Sequence, residues 1–437
     1  MVDHIVSASP ADATVAIQSA IESAAATPGG GRVVLQRGRH SVQGLRLRSS
    51  VELHLETGAE LTFAASYDAY AGNVVSVIAE GSDRACIVGQ GLTNCAITGA
   101  GVIRGPGPHY IDGEDAEVGT HIPSPLRPRL LVLEECARVK LEGMRIEDSP
   151  MWTVHLVSCR HVRIDGIAIR NDRLQPNTDG IVVDSCSDVV IENVSIDTAD
   201  DGVCLKTTLR DGAFSPCTGV VVRNTRVSSQ SCALKIGTES FGDVRDVVFE
   251  DCVVTDSNRA LGIFSRDGGA ISNVRFARIS VDCHETPDGF WGSGEAITIT
   301  TLTRRAERPA GAVSNVIFED ITGRMEGAIA LVAAVSGGIS GVRLSRISLS
   351  QHAGTLGTVR RYDLRPTPAD LLPKASGRAN AWTKDSDGIV VGLVDYPGGM
   401  PGLFASGVGD LLLDGVAIAR PTDLPSGWNI EPIVQVK

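Results

Sequence analysis

VKLEGMRI (139–146), VRIDGIAI (162–169), VVIENVSI (189–196) and VVVRNTRV (220–227) are four statements of one phrase. Each alternates apolar and polar residues, breaks at a Gly or Asn in its fifth place, and resumes the alternation. The phrase returns as VVFEDCVV (247–254), VRFARISV (274–281), VIFEDITG (316–323), VRLSRISL (342–349) and LLLDGVAI (411–418). Its first six starts lie 23, 27, 31, 27 and 27 residues apart. Period-two alternation specifies strands with one buried face, and the bend residue keeps them short. Hairpins of a β-sandwich would recur every ~8–12 residues. The longer repeat predicts instead an all-β, right-handed parallel β-helix, each turn stacking on the one before at the inter-strand distance of ~4.8 Å.

Working outward, Cys136, Cys159, Cys186 and Cys217 each precede a phrase start by three residues. Stacked turns should place them in one buried column, and parallel-pointing neighbours are poorly oriented for disulfides. A solenoid end needs a cap. Residues 12–25 predict an N-terminal capping helix, with Asp12 as N-cap and Val15, Ile17, Ile21 and Ala24 recurring at near-helical spacing before Thr27-Pro28-Gly29. Strands follow at 32–35 and 51–55. Residues 351–405, which include Trp382, read as an irregular loop insertion before the last coil. With 104–128 they are candidate walls of a binding face. The expectation is one β-helix domain over 1–437, although length alone suggests about three.

Composition narrows the function classes. The 437 residues are 43% hydrophobic and 21% charged, so a large core is available. Net charge is -12 with no Lys/Arg-rich block, which argues against nucleic acid as a partner. No run approaches the ~18 apolar residues of a membrane span. Ten cysteines contain no C-x-x-C pair, which leaves zinc without its usual spacing. No basic segment with an apolar stretch opens the chain, so the expected location is cytoplasmic, or secreted if a leader has been removed. A monomer is the expected state.

The chemistry gathers in two adjacent turns. Asn177-Thr178-Asp179-Gly180 aligns with Ala199-Asp200-Asp201-Gly202, placing Asp179 against Asp201, 22 residues and one turn later, with Asp200 beside it. Three carboxylates in one small patch cannot all ionise freely, so one should hold a proton near neutral pH. Glycoside hydrolysis needs such a pair, an acid for the leaving oxygen and a base for water. Two other readings remain open here: Asp-Gly as turn sequences, and carboxylates ligating calcium. The next turns carry Lys206, Lys235, Arg259 and Arg266. These cations suit a sugar carboxylate or compensate the acids. Trp291, in the segment Phe290 to Glu295, is a candidate sugar platform or a core residue.

At these residues the chain resembles glycoside hydrolase family 28, the polygalacturonase-like enzymes. The likeness runs from AIQSAIESAAATPGGGRVVLQRG through RPRLLVLEECARVKLEGMRIEDSPMW, peaks at QPNTDGIVVDSC and TADDGVCLKT, and fades after about residue 350. It implies a parallel β-helix and an inverting mechanism without metal or organic cofactor. Asp200 would be the general acid, Asp179 and Asp201 would activate water, and Asn177 would help hold the site. The substrate implied is a uronic-acid-containing, pectin-like oligosaccharide or polysaccharide. Two departures stand out. The family's Gly-His-Gly reads Gln230-Ser231-Cys232, and its Arg-x-Lys reads Phe264-Ser265-Arg266. This chain offers instead Lys206, Lys235, Glu239, Arg259, Arg266, Trp291 and Glu295 as candidate substrate contacts, as in non-classical bacterial members. A polysaccharide lyase on the same coil and a non-catalytic carbohydrate-binding β-helix are the alternative functions.

Overall fold

Each start of the phrase pairs in parallel with the next: Val139 with Val162, Val162 with Val189, Val189 with Val220, Val220 with Val247 and Val247 with Val274. The register continues through Val316 and Val342 to Leu411. This is a computed structural model that describes residues 2–116, 119–287, 290–335, 337–356, 360–371 and 383–436. Successive turns of a right-handed parallel β-helix build three ladders of parallel strands. The first ladder holds the first half of each phrase and runs from Val2–Val6 to Val408–Ala419. The second holds the other half, and from Ile271–Asp282 onward single long strands serve both. The third ladder, from Leu45–Arg46 to Ile433–Val436, includes the strands Val154–Val157, Ile181–Asp184, Val203–Thr207, Cys232–Ser240 and Arg259–Ser265.

The fifth place of the phrase explains its residues. Gly143, Gly166, Asn193, Asn224, Asp251, Arg278, Asp320, Arg346 and Gly415 all have φ between 49° and 84°. That left-handed bend turns the first ladder into the second and favours Gly, Asn and Asp. Apolar residues on either side of it point inward. Phe249, Phe276 and Phe318 stack with ring centroids 4.7 and 4.9 Å apart, the spacing of the turns themselves. Cys136, Cys159, Cys186 and Cys217 form the expected column, buried and free of disulfides.

The cap differs in detail from the sequence reading. Helix α1 is Thr14–Ala26, and Asp12 ends a strand, its Oδ1 accepting from the Thr14 amide at 2.8 Å. Ile17, Ile21 and Ala24 close the end of the core, whereas Val15 is 78% exposed on the far face. Strands Val2–Val6 and Ser9–Asp12 precede the helix, and the first pairs with Gly31–Leu35. Within 351–405, an antiparallel pair joins Arg361–Asp363 to Leu393–Asp395, and Leu403–Ser406 already belongs to the third ladder. Trp382 lies outside the described residues. Among the described residues no helix is long and apolar enough to cross a membrane.

Candidate active site

Two consecutive turns place an aspartate two residues before their strand of the third ladder, ahead of Ile181–Asp184 and Val203–Thr207. Ile181 pairs with Val203, so Asp179 and Asp201 occupy equivalent places on neighbouring rungs, with Gly180 N donating to Asp201 O at 2.8 Å. The glycines that follow are not required by a left-handed backbone, since neither has a positive φ. They make room between rungs. A Cβ on Gly180 would lie 2.6 Å from Gly202 O, and one on Gly202 would lie 2.2 Å from Val227 Cγ1. Asp-Gly is therefore a packing requirement that seats a carboxylate at each rung.

The three aspartates lie in a pocket of about 760 Å³ that Asn177, Trp152, Lys206, Ser231, Lys235, Glu239 and Trp291 also line. Asp179 and Asp201 are each 2% exposed, while Asp200 is half-buried. Asp200 accepts from the Asn177 amide at 3.2 Å and from the Asp201 amide at 3.0 Å. Asn177 sits at φ 61°, and Arg127 fixes it by donating to its Oδ1 at 2.8 Å. Lys235 Nζ lies 2.6 Å from Asp201 Oδ2, and Ser231 Oγ donates to Asp201 Oδ1 at 3.3 Å. Lys206 Nζ lies 3.6 Å from Asp179 and 3.3 Å from Glu239, and 4.0 Å from the Trp152 ring centroid.

Burial and the neighbouring Asp200 charge hold the Asp179 carboxyl well above the usual range. Burial also raises Asp201, while Lys235 works against that rise. The lysines are raised too, which favours their charged form: burial disfavours their charge, but Glu239 and Asp179 raise Lys206, and Asp201 raises Lys235. Glu239 is lowered by Lys206 and Arg304 despite its burial. Asp179 and Asp201 are therefore both pushed toward the protonated form, Asp201 with a lysine opposing the push.

Asn177, Lys206, Lys235, Glu239 and Trp291 thus join the aspartates. Arg259, Arg266 and Glu295 do not line the pocket. Arg259 pairs with Glu295 at 3.2 Å and with Asp363 at 3.4 Å, all three fully buried. Arg266 spends its donors on Thr300 O, Thr300 Oγ1, Leu364 O and Pro366 O. Buried guanidiniums need several acceptors, and residues 363–366 supply them. The two arginines fasten that segment, which in turn supports the wall through Gly292 N donating to Asp363 at 2.8 Å and Arg365 Nη2 donating to Phe290 O at 3.1 Å. Described residues of 104–128 and 351–405 likewise stay out of the pocket lining.

The walls come from elsewhere. Strand Val74–Ala79 pairs back on Ser82–Gln90, and its tip brings Glu80 into the pocket, where burial raises the carboxyl against the opposing charge of Arg127. On another side stand Phe241, Arg305 and Arg308. The β-branched run Val74, Val75, Val77 and Ile78 was the available signal for the first wall. Nothing in the pattern marked the second. The place expected to hold a histidine has the buried Ser231, and the cation beside Asp201 is Lys235, four residues further along on the strand Cys232–Ser240.

One group of three possible metal-ligating side chains occurs among the described residues, with atoms of Asp179, Asp201 and Cys204 within 4.8 Å of one another. Two carboxylates and a thiol do not suit calcium, which takes six to eight oxygens. Both carboxylates already have lysine counter-charges, and the Cys204 thiol donates to Gly237 O at 3.0 Å.

Among curated relatives, a "Probable polygalacturonase" of Vitis vinifera is 34% identical over 141 residues, 31% of this chain and 29% of the relative. A "Probable exopolygalacturonase B" of Aspergillus fumigatus is 24% identical over 75% of this chain and 74% of the relative. The chain spans less than half the length of the first three curated relatives it matches. Among solved structures, a polygalacturonase from Erwinia carotovora superposes with TM-score 0.64 at 20% identity, covering 80% of this chain and 93% of that one. A hyperthermoactive exopolygalacturonase from Thermotoga maritima gives 0.63 at 22% identity over 80% and 87%. These two share the fold. The model of Glycosyl hydrolases family 28 matches residues 41–360, about three quarters of the sequence, and the chain belongs to that family.

Proposed function

We propose that the protein is an inverting glycoside hydrolase acting on a uronic-acid-containing, pectin-like oligosaccharide or polysaccharide. The observation that carries this reading is the set of three aspartates on two neighbouring rungs, facing one pocket with lysines as counter-charges. A volume of about 760 Å³ suits one or two sugar rings. Asp200, the most open of the three, donates a proton to the leaving glycosidic oxygen as the bond from that oxygen to the anomeric carbon breaks. Water adds to the anomeric carbon from the other side and gives its proton to Asp201, which Lys235 keeps charged. Asp179 holds that water from the neighbouring rung. Asp179 and Asp201 approach within 4.8 Å, too close to flank a sugar from opposite faces, so they act together on the water side.

Asn177 positions Asp200 through its amide. Lys206, Glu239 and Trp291 line the space in which the sugar sits. Relatives named as polygalacturonases support the choice of substrate class. The test is hydrolysis of defined galacturonate oligosaccharides with the product followed by NMR. An α-linked substrate should release the β-anomer first. Retention of configuration, or an unsaturated product that chelation abolishes, would overturn the reading.

A further inference from the structure

If the substrate carries carboxylates, a cation must meet them, and the two arginines that the sequence offers, Arg259 and Arg266, are sealed behind the wall. Five cations line the pocket among the described residues: Lys206, Lys235, Arg210, Arg305 and Arg308. Four have their donors committed. Lys235 is on Asp201, and Lys206 lies between Asp179 and Glu239. Arg210 reaches Glu135, Ser158 and Ser76. Arg308 donates to Asp267 O and Phe241 O while lying over the Phe214 ring.

Arg305 differs. Its Nε points toward Asp267, 3.3 Å away and outside hydrogen-bond geometry, and both oxygens of Asp267 already accept from Arg304 at 2.8 and 2.6 Å. Its two terminal nitrogens have no hydrogen-bond partner among the described residues. The side chain is 33% exposed, and its guanidinium carbon lies 5.6 Å from the Phe241 ring centroid. Arg308 holds the backbone of that phenylalanine. A turn closed by Arg308 N donating to Arg305 O at 3.0 Å carries the arginine into the pocket. A planar fork anchored at one end over an aromatic ring, with its outer edge open, is the arrangement that takes a carboxylate through two parallel hydrogen bonds.

We infer that Arg305, seated over Phe241, binds the carboxylate of an acidic sugar in the pocket, in place of the buried Arg266. This rests on the hydrolase reading above, and the test separates the two. Wild type, Arg305→Gln and Arg305→Lys are compared on trigalacturonate and on its methyl-esterified form, with unfolding midpoints measured alongside. In the wild type, kcat/KM should favour the acid. Arg305→Gln should lower it about tenfold or more for the acid and leave the ester within about twofold, while Arg305→Lys keeps part of the preference. Equal losses on both substrates, or none on either, overturn the inference while leaving hydrolysis standing. A wild type that hydrolyses neither substrate removes both readings. If the Gln variant unfolds early, the Lys variant decides, because an acid preference reduced below that of the wild type with an unchanged midpoint supports the role and an intact preference equal to that of the wild type refutes it.

Discussion

Two ion pairs in this molecule have the same length and opposite consequences. On the outer face, Arg278 Nε lies 2.6 Å from Asp251 of the preceding turn, with both side chains more than 40% exposed. In the pocket, Lys235 Nζ lies 2.6 Å from Asp201 of the preceding turn, the two side chains being 4% and 2% exposed. Hydrogen bonds from Arg278 hold Asp251 below the usual carboxylate range, whereas burial carries Asp201 above it even with a lysine in contact. Arg346 and Asp320 repeat the outer case. The coil supplies the rung-to-rung spacing in both places. Water makes the difference: it screens the outer pairs and leaves the inner ones to settle their charges among themselves. A surface ladder fastens turns together, and the same geometry without solvent raises the proton affinity of its carboxyl.

The strongest break in that contrast is Asp200→Asn, which removes the proposed proton donor and leaves its size and amide partners in place. Turnover should fall by roughly 10²–10⁴-fold, with an unfolding midpoint close to that of the parent. Full activity in the variant would dissolve the catalytic half of the comparison. Next comes Lys235→Met. Stranding one member of a buried pair costs about 3–5 kcal/mol, part of which Asp201 recovers by taking up a proton. A protonated Asp201 accepts nothing from water, so the acid limb of kcat/KM against pH should move upward by about one pH unit or more. An unmoved limb would show that Lys235 does not govern the charge of Asp201.

How far these features were visible in the sequence depended on their periodicity. The phrase starts, the cysteine column and the alignment of Asp179 with Asp201 follow from stacking alone, because a coil puts residues one turn apart in contact. Non-periodic partners escaped. Arg259 and Arg266 sit on the coil in plain view, but their orientation is fixed by Glu295 and by residues 363–366, about a hundred positions downstream and outside the repeat. Arg305 also falls between phrases, on a turn that exists only as a connection between coils. Val15 was misread because the helix shows the core only the face carrying Ile17, Ile21 and Ala24.

Asp179 sharpens the comparison through stability. Its proton affinity is higher in the folded chain than in an unfolded one, because burial and Asp200 disfavour the charge. For such a group the contribution to stability is complete below the unfolded value, about 3.9, and is lost as the pH rises through the folded value. Asp179→Asn resembles the protonated form at every pH. The variant should therefore gain roughly 0.5–2 kcal/mol over the parent at neutral pH, with the gain shrinking as the solution is acidified. Lys206 keeps Glu239 as a partner at 3.3 Å, so the substitution strands no charge. Denaturant titrations across the pH range give the answer, and a variant less stable than the parent at neutral pH would mean that Asp179 is held as a satisfied anion.

The smallest effect belongs to the outer ladder. Arg346 donates to both oxygens of Asp320, at 2.6 and 2.8 Å, from a backbone at φ 53°. Replacement by alanine loses the pair and keeps the left-handed strain, whereas glycine loses both together. The unfolding midpoint of Arg346→Gly should lie above that of Arg346→Ala, and added salt should narrow the gap between Arg346→Ala and the parent, because water and ions already weaken the exposed pair. Arg346→Ala as damaging as Lys235→Met, and indifferent to salt, would mean that contact distance governs these pairs and that solvent does not.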